Sequence, residues 1–112
     1  MPKSKEGEIP KPPKTFVEFT EQYPRLAEAW TLINEEGASG PLNARESRLV
    51  KLGVALGALK EGPLHSSVRK ALAEGFSKKE IGQAVALSAS TLGLPSTAAV
   101  FTWIRDLMED LS

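Results

Sequence analysis

Glu61-Gly-Pro-Leu-His-Ser-Ser-Val-Arg-Lys-Ala-Leu-Ala-Glu-Gly75, followed by Phe76-Ser-Lys-Lys-Glu-Ile81, is the stretch that decides the fold. Gly62-Pro63 is a helix-breaking pair, and a helix is predicted from about Pro63 to Glu74. Leu64, Val68, Ala71 and Leu72 recur at helical spacings and share one face. Gly75 ends that helix, since glycine accepts the backbone twist of a helix C-terminus. Ser77-Lys-Lys-Glu80 has the spacing of a capping box, so another helix starts there and runs to about Thr91. Its apolar face is Ile81, Ala84, Val85, Ser88 and Leu92.

Helical patterning continues outward in both directions. Gly93 stops the helix that precedes it, and Pro95-Ser96 launches a last one, with Val100, Trp103, Ile104, Leu107 and Leu111 opposite Thr102, Asp106, Glu109 and Asp110. Upstream, Asn43-Ala-Arg-Glu46 has the form of a capping box and opens what is predicted as the longest helix, reaching about Glu61. Its centre, Leu49 to Leu59, is apolar nearly all round, which predicts burial on most sides. Gly53 and Gly57 make a smooth stripe that another backbone can approach closely. Before it, Pro24 suits a helix's first turn, and Leu26, Trp30 and Ile33 form one face up to Gly37. Thr15 is placed to cap a short helix carrying Phe16 and Phe19. No stretch shows strand alternation between hairpin turns. The expectation is an all-α fold of five to six helices over residues 14–112, behind a flexible arm at 1–13 that holds Pro10, Pro12 and Pro13.

Composition removes several functions. Acidic and basic side chains balance at fourteen each. That argues against nucleic acid held on a broad basic face, and against a DNA-binding helix-turn-helix. There is no cysteine, hence no disulfide, no zinc–thiolate site and no thiol nucleophile. One histidine with scattered carboxylates is poor material for a metal site, so neither metal nor cofactor is expected. The first residues lack a signal-like apolar core, and no apolar run nears the roughly 18 residues of a membrane span. A cytoplasmic protein with no membrane partner is expected. The helices carry more apolar surface than one small bundle covers, so the expected partner is a second copy of the chain.

The order of these features resembles the carboxymuconolactone decarboxylase and alkylhydroperoxidase D-like family over roughly residues 20–105. The resemblance rests on Glu61–Gly75, on the Phe76-to-Ile81 helix start, on Gly93-Leu-Pro95 before the closing helix, and on Arg45-Glu-Ser-Arg-Leu-Val-Lys-Leu52 as the lead-in. It implies a homotrimer or homohexamer. In the peroxidase branch of that family a Glu precedes a Cys-x-x-Cys-x-x-x-His motif. Those four positions fall here at Arg48, Lys60, Pro63 and Ser67. Peroxide reduction needs a thiolate, so that activity is rejected for this chain. The decarboxylase branch also lacks the dithiol, and its usual histidine is Ser67 here. Other members carry a Glu-Gly-x-x-His-Ser-His-like string, of which this chain keeps Glu61 and His65.

His65 is the one histidine, and imidazole is the side chain suited to proton transfer near neutral pH. It is the candidate acid–base group, with Glu61 as its orienting partner across the Gly62-Pro63 corner. The other reading of His65 is a side chain that bonds backbone near a helix start. Arg69 is placed to grip a carboxylate, which suits a small acidic metabolite of the decarboxylase kind; its other reading is a surface charge. Ser67 and Ser88 are candidate substrate contacts, against a reading in which their hydroxyls bond their own helices. The overall expectation is acid–base chemistry on a small carboxylated or lactone metabolite. The alternative is a non-catalytic assembly or small-molecule binding protein on a degenerate enzyme fold.

Overall fold

A computed structural model of the chain describes residues 14–110, which form six α-helices and no strand. The arm expected at 1–13, and Leu111, lie outside the described residues. The described residues fall into two compact units, 14–43 and 44–110.

The first unit is a helical hairpin of α1 (Lys14–Gln22) and α2 (Pro24–Ala38). Pro24 occupies the first turn of α2, where its missing N–H would have had no helical partner. Phe16 meets Trp30 edge-on, with ring centroids 6.2 Å apart, and Phe19 stacks at a tilt on Tyr23. Two sequence expectations shift here. Thr15 lies inside α1 and does not cap it. Gly37 does not end α2, which runs on to Ala38; both the N–H and the hydroxyl of Ser39 donate to the Glu36 carbonyl and close the helix there. Neither helix contains a buried residue.

The second unit holds the core. It comprises α3 (Ala44–Ala58), α4 (Glu61–Ala73), α5 (Lys78–Leu92) and α6 (Leu94–Asp110). Leu52 and Leu56 of α3 pack with Leu64, Val68 and Ala71 of α4, Ile81 and Val85 of α5, and Val100, Ile104 and Leu107 of α6. Each set follows helical spacing, so one stripe per helix turns inward. Burying each large side chain of this kind contributes about 1.5–3 kcal/mol. Phe76, in the turn between α4 and α5, is buried in the same cluster.

The caps explain where these helices stop. Gly75 has φ +99°, the Phe76 N–H donates to the Ala71 carbonyl at 3.0 Å, and the Gly75 N–H donates to Leu72 at 3.1 Å. This is the Schellman arrangement, with Phe76 and Ala71 supplying its apolar contact. Ser77 and Glu80 then form the expected capping box: the Glu80 N–H donates to Ser77 Oγ at 3.0 Å, and the Ser77 N–H donates to Glu80 Oε1 at 2.8 Å. Gly93, at φ +83°, ends α5, and its carbonyl accepts from the Thr97 N–H in the first turn of α6.

Three expectations about α3 are corrected. The longest helix is α6, with 17 residues against 15 for α3. α3 ends at Ala58, because Leu59 turns into the left-handed region at φ 54°. Extended Lys60 then caps α4, which starts at Glu61 and not at Pro63. Gly62 and Pro63 fit inside that first turn, where N–H groups lack helical partners anyway. Finally, α3 is not buried on most sides: Leu52 and Leu56 are buried, while Leu49, Val50 and Val54 are exposed, Val54 at 68%. Apart from α3's own backbone, no atom of the described residues comes within 4 Å of where a Cβ on Gly53 or Gly57 would stand, so the close backbone approach expected there is not made among the described residues.

Candidate functional site

The start of α4 at Glu61 changes the geometry read from the sequence. Glu61 and His65 do not face each other across a corner between two helices. They stand one turn apart on one helix, and Arg69 follows one turn later. Residues four apart on a helix lie nearly above one another, about 6 Å along the axis, so the three make a single stripe. His65 Nε2 is 3.6 Å from Glu61 Oε2. That is an electrostatic contact, longer than a hydrogen bond.

Burial separates the three. The Glu61 side chain is 54% exposed, that of His65 only 23%, and Arg69 is exposed. His65 Nε2 is itself buried and has no hydrogen-bond partner. Leaving a buried polar atom unpaired costs about 1–3 kcal/mol. The stripe therefore consists of a shielded imidazole nitrogen, a carboxylate at its solvent side and a guanidinium reaching outward. Such a set can pass a proton at Nε2 once that nitrogen is uncovered, with the Glu61 carboxylate beside it and Arg69 available to attract an anion. Lys60, also exposed, precedes the stripe as the α4 cap.

The two serines are not brought to this stripe. Ser67 is 8% exposed, and its hydroxyl has no partner. Two residues advance a helix by about 200°, so Ser67 lies about 160° around α4 from His65, at the opposite edge of the buried arc. Ser88 is half-buried on α5 and donates to the Val85 carbonyl at 2.6 Å, which satisfies it within its own helix. A shallow depression on α1, lined by Thr15, Glu18, Phe19, Glu21 and Gln22, contains none of the five residues.

Ionic contacts made by α3 are not readable from the apolar pattern of the sequence. Arg48, which the family resemblance sets at the peroxidase-branch glutamate position, is 14% exposed in its side chain and donates from Nε and Nη2 to Glu74 Oε2, at 2.9 and 2.8 Å. The usable signal was its place one turn before the buried Leu52, on the side of α3 that faces antiparallel α4. Arg45 lies over the Phe76 ring, 4.0 Å from its centroid, and pairs with Glu80. The Ser77 backbone N–H, and then the Arg45 guanidinium, hold the Glu80 carboxyl below the usual carboxylate range. The first pair ties α3 to the C-cap of α4, and the second ties it to the first turn of α5.

Among the described residues no group of three or more His, Cys, Asp or Glu side chains is arranged to hold a metal ion. No helix among them is long and apolar enough to cross a membrane. Comparison with curated proteins and with solved structures found no match. The model of the carboxymuconolactone decarboxylase family, an all-helical fold, matches residues 24–106, from the first residue of α2 into α6. With most of its length covered by that match, and with the dithiol of the peroxidase relatives absent, the chain belongs to the carboxymuconolactone decarboxylase family as a cysteine-free member.

Proposed function

We propose that the chain acts on a small carboxylated or lactone metabolite by acid–base chemistry on the Glu61–His65–Arg69 stripe. The observation that carries this reading is His65 Nε2, buried and unpaired 3.6 Å from the Glu61 carboxylate. No partner among the described residues competes for Nε2, and because that nitrogen is covered, a substrate exchanges a proton with it only once the groups over it move aside. Arg69 binds a substrate carboxylate, for which its planar fork is suited. Membership of the family supports the substrate class. The proposal includes self-assembly into a homotrimer or homohexamer. The exposed apolar residues of α2 and α3, among them Trp30, Ile33, Val50 and Val54, support it.

The test is decarboxylation and ring-opening turnover with a panel of small carboxylated lactones. His65→Ala is expected to reduce turnover by about 10²–10⁴-fold, the usual contribution of a general acid–base group. Turnover unchanged in that variant rejects the assignment.

A second reading is a non-catalytic assembly or small-molecule binding protein. The observation that favours it is the state of the former peroxidase positions: Arg48 is engaged by Glu74, and Ser67 offers a buried hydroxyl in place of an imidazole. It expects no turnover with any lactone or peroxide, and an oligomer that persists when Glu61 and His65 are both replaced.

A further inference from the structure

We draw no further inference here: the strongest candidate, the outer face of α3 where Val50 and Val54 lie exposed beside the open Gly53 and Gly57, carries nothing because the structure does not show what covers it.

Discussion

Leu59 holds a backbone conformation that L side chains avoid, at φ 54°, and its side chain is partly exposed. A left-handed residue of this kind costs about 1–2 kcal/mol, and glycine escapes most of that while adding some unfolded-state entropy. Leu59→Gly relieves that strain but gives up the buried part of the leucine, which is 41% exposed, so the two are expected to offset to within about 1 kcal/mol in a denaturant melt. Ser67 is a second residue whose effect can be argued alone. Its hydroxyl is buried without a partner, so Ser67→Ala removes a desolvation penalty of about 1–3 kcal/mol. The variant is expected to be as stable as the parent or more so; a clear loss in the melt would mean that the hydroxyl has a bonded role. The alignment of Glu61 with His65 was legible in their spacing of four. Gly62-Pro63, taken as a break, nonetheless predicts that they stand on two helices. A proline in a first turn does not break a helix, and only the left-handed Leu59 marks the true boundary. The shielding of His65 Nε2 was not legible in that spacing, which fixes the face a residue takes and not the exposure of a single ring atom.

At the scale of elements, capping chemistry was the most readable part of the sequence. Ser77-Lys-Lys-Glu80 announced its box and Gly75 its left-handed cap, and both form as expected because each needs only residues close in sequence. Ser77→Ala is expected to cost about 1 kcal/mol of stability, the usual worth of such a cap. The link from Glu80 to Arg45 was invisible, because it joins residues 35 apart. The Ser77 backbone N–H first, and then Arg45, give Glu80 a pH signature. The folded Glu80 carboxyl titrates below its ordinary value of 4.5. Its contribution to stability is present above the unfolded value and is lost as pH falls through the folded one. Stability measured from pH 6 downward should therefore fall less steeply in Glu80→Gln than in the parent. Identical acid slopes for the two proteins would count against a lowered Glu80 carboxyl in the folded state.

At the scale of the whole molecule, the all-α fold and the inward stripes of α4, α5 and α6 followed from helical periodicity, because amphipathic helices reveal which side they bury. α3 did not reveal it, being apolar on both sides. Only its Leu52–Leu56 side meets the core, and the rest stays exposed. Leu64, fully buried in the middle of that core, is the position where truncation should hurt most. Leu64→Ala is expected to cost about 2–5 kcal/mol. The exposed apolar residues of α2 and α3 are the reason self-assembly belongs to the proposal, and the chemistry must be tested with the assembly kept in view. The most direct measurement is turnover of small carboxylated lactones by the parent and by His65→Ala, with the mass of both followed by light scattering in the same buffer. An active parent is expected, with a variant slower by at least about 100-fold and the same oligomeric mass for the two. Equal turnover at equal mass would contradict the role given to His65.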